Sequence, residues 1–166
     1  MSNTGMVLRA REAQEAAAKL GVSIKSNGVH NLVDFAPAFT AIEGGRSNAL
    51  LTLVDPFTSQ HRKLIVDFAA RRRLPAIYEA REFVESGGLI RDHVVAGGLV
   101  SYGVDLRWCF RRAAYFVDKI LRGAAPGDLP VEFPTKMVLA VNLRTASALD
   151  ITVPPTLLTR ADEVME

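Results

Sequence analysis

The stretch SGGLIRDHVVAGGLVSYGVDLRWCFRRAAYFVDKILRG, residues 86 to 123, organises the prediction of the fold. Glycine pairs at 87–88 and 97–98 leave the backbone bare before the Ser-Tyr-Gly sequence at 101–103, where a ligand or another chain segment can come close. From position 105 the pattern changes, because apolar residues recur every three or four positions. We therefore expect a strand through 101–103 and then a long amphipathic helix.

The predicted helix over 105–122 has the most continuous apolar stripe of the sequence. Its stripe follows spacings of four, three, four and four, through Leu106, Phe110, Ala113, Val117 and Leu121. Asp105 is a suitable N-cap, and Gly123 is suited to the position just past the helix end. The stripe predicts docking on a surface that this chain only partly supplies.

Upstream, residues 49–78 predict a βαβ unit. The apolar run at 49–54 is typical of a buried parallel strand and ends at Asp55-Pro56. A helix from about Thr58 to Arg73 follows, and then a short strand at 74–78. Such a unit closes right-handed onto a parallel sheet. With helices at 7–20 and 31–42 and a brief strand at 22–24, the chain is predicted to be α/β, a three-layer α/β/α sandwich with a mostly parallel sheet.

The remaining segments complete this outline. Residues 1–6 are expected to be disordered, and residues 79–85 form a short helix or turn. A near-repeat pairs Ser86-Gly-Gly-Leu-Ile with Ala96-Gly-Gly-Leu-Val and suggests a local duplication. Residues 124–134 form a proline-rich connector, and a strand at 137–141 follows. A short helix at 142–149 and a last helix opening at Pro154-Pro155 end the chain.

Composition excludes several classes of protein. A chain of 166 residues with 49% hydrophobic and 23% charged residues is one ordinary domain, or one lobe of something larger, and not a disordered chain. The net charge of +2 is too small to indicate nucleic-acid binding. The single cysteine, Cys109, excludes a disulfide framework within the chain. No apolar run reaches membrane-spanning length, and no secretory signal pattern opens the sequence.

Candidate binding residues follow the predicted strands. Ligands of open α/β sheets bind beyond the carboxyl ends of the strands, where carboxylate, hydroxyl and aromatic groups supply hydrogen bonds and apolar contact. We predict ligand contacts from Asp55, Phe57, Tyr78, Glu79, Ser101 and Tyr102. Two alternatives stay open. Asp55 is also suited to cap the following helix, and each of the two tyrosines is equally suited to the core.

Residue patterns for catalysis are weak. The histidines at 30, 61 and 93 are scattered and lack metal-ligand spacing. No Gly-x-Ser-x-Gly elbow, phosphate loop or Gly-x-Gly-x-x-Gly motif is present. We therefore predict no catalytic residue, no metal site and no cofactor, and expect the chain not to be an enzyme.

Several motifs together resemble the ABC transporter substrate-binding protein family, in particular its TrpX-like members. They are Leu-Pro-Ala-Ile-Tyr (74–78), Arg-Glu-Phe-Val-Glu (81–85), Gly-Gly-Leu (87–89), Ser-Tyr-Gly (101–103), Phe-Arg-Arg-Ala-Ala-Tyr-Phe-Val-Asp-Lys-Ile-Leu-Arg-Gly (110–123), Asp-Leu-Pro-Val-Glu (128–132), Pro-Thr-Lys (134–136), Val-Asn-Leu (141–143) and Arg-Ala-Asp-Glu-Val (160–164). The resemblance covers nearly the whole chain.

This resemblance implies a type I periplasmic-binding-protein fold and a periplasmic or lipid-anchored solute receptor. In such a receptor two α/β lobes close over a small-molecule ligand and deliver it to an ABC permease. By position, the Asp-Pro at 55–56, Tyr78 and the Ser-Tyr-Gly at 101–103 fall where the family would line its cleft. The implied division is a ligand-binding lobe at 7–100, a hinge-crossing helix and connector at 101–135, and a returning strand and helices at 136–166.

Two departures from the family pattern shape the expectations. The chain is expected to lack most of the first lobe, to which 101–135 would belong, and about ten extra residues, Ile90 to Leu99, intervene near the hinge. With no signal peptide predicted, a cytoplasmic location stays open beside the periplasmic one. The alternative hypothesis is a soluble α/β sensing or scaffold domain that forms a homodimer through the apolar face of the 105–122 helix.

Overall fold

The computed structural model describes residues 4–90, 93–95 and 97–166, and these residues form an α/β fold. Its helices are α1 (Thr4–Lys19), α2 (Phe35–Gly44), α3 (Pro56–Gln60), α4 (Arg62–Arg71), α5 (Arg81–Glu85), α6 (Leu106–Leu121), α7 (Leu143–Ala148) and α8 (Pro155–Leu158). Its strands are β1 (Leu50–Thr52), β2 (Ala76–Tyr78), β3 (Gly88–Ile90), β4 (His93–Val95), β5 (Val100–Val104), β6 (Met137–Asn142) and β7 (Glu163–Met165). Short 3-10 helices occur at Leu32–Asp34 and Pro126–Asp128.

Five of the described strands form the main sheet, in the order β1-β2-β5-β6-β7. The pairs β1–β2, β2–β5 and β6–β7 are parallel, whereas β5 and β6 are antiparallel. Strands β3 and β4 form a separate antiparallel pair. The prediction of an α/β fold around a mostly parallel sheet is therefore confirmed, and the predicted βαβ unit is the β1–α4–β2 segment.

The main core lies between one face of this sheet and the helices α2, α4 and α5. Side chains of β2 meet helix side chains there, in a buried cluster of Phe35, Ile65, Val66, Ala69, Ala76, Tyr78 and Phe83. Burial of apolar area contributes about 25 cal/mol per Å², so this buried layer stabilises the packing of the helices on the sheet. The parallel strands β1, β2 and β5 are aligned in register, so their carboxyl ends lie at the same edge of the sheet.

Local sequence explains where several elements begin and end. Asp55 caps α3 by accepting a 2.7 Å hydrogen bond from the Thr58 amide, and the Asp55 amide donates a 2.9 Å hydrogen bond to Thr58 Oγ1. Asp105 caps α6 through the Trp108 amide, as predicted. Gly123 follows α6 with a φ of +99°, a conformation that glycine adopts without steric cost.

Three predicted boundaries are wrong. Helix α1 begins at Thr4, so the expected disorder at 1–6 does not extend to residues 4–6, while residues 1–3 lie outside the described ranges. Residues 22–24 are not in a strand, because three alternating residues without a pairing partner do not form a ladder. The helix predicted from Thr58 to Arg73 is divided at His61, whose φ of −103° and ψ of 18° interrupt it.

Two predictions about strands need correction. Strand β1 was expected to be buried, but it is an edge strand, and Leu51 is 41% exposed. The two copies of the near-repeat lie in different environments, because 88–90 pair with 93–95 while Val100 begins β5 of the main sheet. The extra segment Ile90 to Leu99 therefore contains strand β4, and its positions 91, 92 and 96 lie outside the described residues.

Helix α6 and the connector after it are largely exposed. No α6 side chain is buried, although its apolar stripe is the strongest in the chain. Phe110 is 74% exposed and Leu121 is 81% exposed, and Val131 and Phe133 of the connector are exposed as well. Within the described residues, α6 is tied to the connector by an ion pair of Arg112, near its middle, with Glu132, and at its N-terminal end by an ion pair of Lys136 with the capping residue Asp105.

Membrane insertion by a helix can be assessed for the described ranges. Across residues 4–90, 93–95 and 97–166, none of the helices combines the length and the apolar character needed to cross a bilayer.

Candidate functional site

The carboxyl edge of the parallel strands β1, β2 and β5 holds the main cluster of polar groups. The chain leaves β1 at Leu53-Val54, β2 at Glu79 and β5 at Asp105. The register places Thr52 beside Tyr78 and Tyr78 beside Ser101, so the residues that follow these positions are neighbours too. The arrangement brings Val54 and Glu79 together at one edge of the sheet.

Arg9 of α1 completes this cluster. Its guanidinium forms an ion pair with the Glu79 carboxylate and donates a 3.1 Å hydrogen bond from Nη1 to the Val54 carbonyl oxygen. Glu79 Oε2 also accepts a 2.8 Å hydrogen bond from the Val54 amide. The two charged side chains keep 41% and 29% of their surface exposed, so solvent and small molecules can reach them.

Glycines at two positions allow close packing around this cluster. A methyl group on Gly103 would lie 1.7 Å from the Glu79 carbonyl oxygen. A methyl group on Gly98 would lie 2.3 Å from the Tyr78 ring. Only glycine fits at either position, which confirms the expectation that this part of the chain has close backbone approaches.

Asp55 and Phe57 lie beside the cluster and have structural roles. The Asp55 carboxylate caps α3, which is the alternative that the sequence left open beside ligand contact. Phe57 is half-buried and stacks on Phe35 with ring centroids 5.7 Å apart, and it also meets His61 edge-on. Both residues shape the loop after β1, and neither directs a free polar group at Glu79.

Tyr78 and Ser101 are buried in the sheet face that the helices cover. Tyr78 is 1% exposed and stacks on Phe83 with ring centroids 4.9 Å apart. Its hydroxyl oxygen is buried and has no hydrogen-bond partner among the described residues. Burial raises the pKa of this hydroxyl above its usual value. For Tyr78 the structure therefore favours the core role over the pocket role.

Tyr102 lies on the opposite sheet face and is 52% exposed. It pairs with Leu139, and it lines a cavity of about 660 Å³ together with Ile77 and Val100. Polar groups enter this cavity from Arg160 and Asp162. The lining includes residues that precede β1, β2 and β5, so the cavity extends toward the amino ends of the parallel strands.

The structure thus separates the six predicted residues. Glu79 is in the polar cluster, Tyr102 is in the cavity, Tyr78 and Ser101 are in the core, and Asp55 and Phe57 form the α3 loop. Sequence reasoning missed Arg9, because 70 positions separate it from Glu79 in the chain. The sequence offered one signal for this role, namely an arginine in the first helix, whose side chain reaches the carboxyl edge of the sheet.

No metal site emerges from the described residues. Within residues 4–90, 93–95 and 97–166, no three His, Cys, Asp or Glu side chains come together as metal ligands would. The ion pair of Arg9 with Glu79 instead supplies one positive and one negative group. This arrangement is suited to binding polar small molecules by charge and hydrogen bonds.

Three solved structures share this fold. A conserved domain protein from Vibrio cholerae matches 96% of this chain at 25% identity, with a TM-score of 0.79. An ABC domain from Streptococcus pneumonia, solved in complex with L-Trp, matches 99% at 22% identity, with a TM-score of 0.81. A ligand-free, open substrate binding protein with adhesive properties from Clostridium difficile matches 99% at 18% identity, with a TM-score of 0.64.

The chain spans about half the length of these structures, namely 50%, 53% and 52% of their chains. No curated protein matches the sequence. The family resemblance found from the motifs is confirmed over almost all of the chain by the match to a family model. Because that match extends over residues 2–165, the chain belongs to the ABC transporter substrate binding protein family.

Proposed function

We propose that this chain is the solute-binding component of an ABC-type importer and binds an amino acid or a small organic or aromatic acid. The observation that carries the proposal is the polar cluster of Arg9 and Glu79 at the carboxyl edge of the sheet. Ligands of open α/β sheets bind at this edge. The complex of one structural neighbour with L-Trp supports a ligand of this kind.

The family sets the general frame for this proposal. It is a family of substrate-binding proteins and not a class of enzymes, and its members are typically periplasmic or extracellular. We infer that this chain likewise makes and breaks no covalent bond and passes its ligand to an ABC permease. Its own export to the periplasm is part of the proposal.

The exposed helix α6 supports an assignment of different parts of the chain to two lobes of the receptor. We infer that, of the predicted 101–135 segment, the part from α6 onward crosses the hinge and belongs to a first lobe. Residues 101–104 lie in β5, between β2 and β6 of the main sheet, so they stay with 7–100 and 136–166 in the lobe that binds ligand. In this arrangement the α6 stripe packs on the first lobe, and ligand binding brings the two lobes together. The exposure of Phe110 and Leu121 is the observation behind this assignment.

A thermal-shift panel tests ligand binding. Purified protein is heated with each of the common amino acids and with small aliphatic and aromatic acids. A ligand present at a hundred times its Kd adds about 2.7 kcal/mol to the free energy of unfolding, which raises Tm by roughly 5–10 °C. If no compound raises Tm, the receptor function is contradicted for this chain.

Tyr102 provides a first variant for this panel. Because its side chain is half exposed and lines the cavity, Tyr102→Ala is expected to change the unliganded Tm by less than about 2 °C. The ligand-induced rise in Tm should disappear if the ligand occupies this cavity, and should persist if the ligand binds only at the Arg9 and Glu79 cluster. A large loss of unliganded stability would instead assign Tyr102 to the core.

One observation favours a second candidate function. The apolar face of α6 is exposed along its length, which is also expected of a sensing or scaffold domain that forms a homodimer. Light scattering separates the two candidates. A stable dimer that no small molecule stabilises supports the scaffold function, whereas a ligand-stabilised chain supports the receptor function.

A further inference from the structure

We propose that the cavity beside Tyr102 binds a medium-chain aliphatic carboxylate. In this site the hydrocarbon chain lies along β2, β5 and β6, and the carboxylate binds the Arg160 guanidinium. The cavity extends toward the amino ends of the parallel strands, whereas the Arg9 and Glu79 cluster lies at their carboxyl edge. The inference therefore goes beyond the proposed function, because it assigns a second ligand to a separate site.

The floor of the cavity is an apolar sheet face that the helices leave exposed. Ile77 pairs with Val100, and Tyr102 pairs with Leu139, so these four side chains lie on one face of the sheet. Ile77 and Tyr102 are exposed, although both faces of parallel strands are usually covered. A hydrocarbon chain in the cavity removes this apolar face from water, which is favourable.

The size and the lining of the cavity suit a hydrocarbon chain. Its volume of about 660 Å³ lies within the range of roughly 300–1,000 Å³ that is typical of ligand pockets. Neighbouring strands lie about 4.8 Å apart, so β2, β5 and β6 together span about 10 Å, which suits the extended chain of octanoate. Met137 and Leu157 extend the aliphatic lining. Such a lining favours a flexible aliphatic chain.

Arg160 supplies the positive charge of this cavity, and its guanidinium is available to a ligand. It donates no hydrogen bond and forms no ion pair within residues 4–90, 93–95 and 97–166. The Tyr102 hydroxyl likewise has no hydrogen-bond partner in the described part of the chain. A carboxylate accepts hydrogen bonds from both kinds of donor, and its bonds to a guanidinium are among the strong ones.

Asp162, the second charged residue of the lining, is held by β6. Its carboxylate accepts a 2.8 Å hydrogen bond from the Leu139 amide, and its own amide donates a 2.9 Å hydrogen bond to the Leu139 carbonyl oxygen. The Arg160 amide donates a 3.2 Å hydrogen bond to the Leu157 carbonyl oxygen. These contacts fix the backbone at 160–162 beside the cavity, and within the described structure Asp162 forms no ion pair with Arg160. The free hydrogen-bonding groups of Arg160 and Tyr102 therefore favour an anionic ligand.

Matched ligands test the recognition of a carboxylate. Isothermal titration calorimetry would compare octanoate with octanol, octylamine and acetate, at concentrations where none of them forms micelles. Octanoate should bind at one site per chain and about tenfold more tightly than each of the others, because a hydrogen bond to a charged group corresponds to this factor or more. If octanol or octylamine binds as tightly as octanoate, or if octanoate does not bind, the proposal is overturned. The panel of amino acids and other acids decides the receptor function separately.

Variants then assign the groups that hold the ligand. Arg160→Gln should lower the affinity for octanoate about tenfold and leave that for octanol unchanged. Tyr102→Phe keeps the ring and removes the hydroxyl, so its loss of affinity should be smaller. Asp162→Asn keeps an oxygen for the Leu139 amide and removes a negative charge, so octanoate should bind equally well or better. A loss in Asp162→Asn as large as that in Arg160→Gln would contradict the binding of an anion.

Arg144 provides the matched control. It is an exposed arginine of α7 outside the cavity lining, so Arg144→Gln removes the same charge and should leave the affinity for octanoate unchanged. If Arg144→Gln and Arg160→Gln weaken binding equally, the effect is one of net charge and the proposal is wrong. Arg9→Met then locates the ligand, and octanoate should bind to it as to the unmodified protein. Binding that is lost in Arg9→Met and kept in Arg160→Gln would place octanoate at the carboxyl edge and overturn the proposal.

Discussion

Tyr78 is the residue where the environment departs most from ordinary solution chemistry. Its ring is buried between the sheet and α5, and its hydroxyl has no hydrogen-bond partner among the described residues. A buried polar group without a partner costs roughly 1–3 kcal/mol. The sequence predicted the position of Tyr78 at the end of a strand but could not predict which face of the sheet its side chain would occupy.

Tyr78→Phe is therefore expected to leave stability unchanged or to raise it by about 1 kcal/mol, because the ring stays and the unpaired hydroxyl is removed. Urea unfolding measures the change. Tyr78→Ala is the contrasting variant and should cost about 3–5 kcal/mol through the cavity it leaves. A Tyr78→Phe variant as unstable as Tyr78→Ala would show that the hydroxyl has a stabilising partner.

The raised pKa of Tyr78 adds a pH dependence to this prediction. The folded state holds the hydroxyl proton more tightly than the unfolded state, whose tyrosine titrates near pH 10.0. Stability from this group is complete below that pH and falls as the pH rises further, by at most about 1.4 kcal/mol per pH unit. Between pH 10 and 12, the free energy of unfolding of Tyr78→Phe should fall less steeply with pH than that of the unmodified protein. Urea unfolding at several pH values measures the difference.

Gly103 tests the close packing beside Glu79. Gly103→Ala places a methyl group 1.7 Å from the Glu79 carbonyl oxygen, so β2 and β5 must move apart. We expect a loss of more than about 2 kcal/mol in urea unfolding. Gly44 is the matched control, because a methyl group there meets open space. Gly44→Ala should be neutral or stabilising by up to about 1 kcal/mol.

Among the elements, α6 has a regular amphipathic sequence pattern, yet none of its side chains is buried. Its length, its Asp105 cap and the glycine after its end were all predictable, because they depend on neighbouring residues in the chain. The surface that covers its stripe was not predictable, since this depends on contacts that lie far away in sequence. Its exposure also distinguishes α6 from α4, in which four side chains are buried.

The stripe predicts concentration-dependent self-association of the chain when it is purified alone. The double variant Phe110→Glu with Leu121→Glu should reduce this association, since both side chains are among the most exposed apolar groups. Stability should change by less than about 1 kcal/mol, because neither side chain is buried in the core. Light scattering at protein concentrations from about 5 to 200 μM measures the effect, because this range covers dissociation constants in the micromolar range. Equal association in both proteins would exclude the stripe as the contact surface.

At the scale of the whole molecule, stability is distributed unevenly. The helices α2, α4 and α5 cover one sheet face and share a buried cluster with β2. In contrast, α6 and the connector to β6 have few buried groups. Isolated helices of this length are marginal in water, so α6 depends on its Asp105 cap and on the ion pairs that tie it to the connector.

Hydrogen exchange should reproduce this distribution. Amides of β2, β5 and β6 are expected to exchange last, at rates set by global unfolding, because they lie in the centre of the sheet. Amides of α6 should exchange at least ten times sooner through local opening. Mass spectrometry of peptic fragments provides the measurement, and equal protection of α6 and β5 would indicate that another surface covers the helix in solution.

The α/β class, the βαβ unit, the helix caps and the family could all be predicted from the sequence, because periodicity, capping and motifs depend on residues close together in the chain. The edge position of β1, the burial of Tyr78 and the ion pair of Arg9 with Glu79 became known only from the folded structure. Strand order and packing join residues that are distant in sequence, and no local pattern encodes which of them will touch. The ion pair of Arg9 with Glu79 is such a contact, formed where α1 packs beside the end of β1.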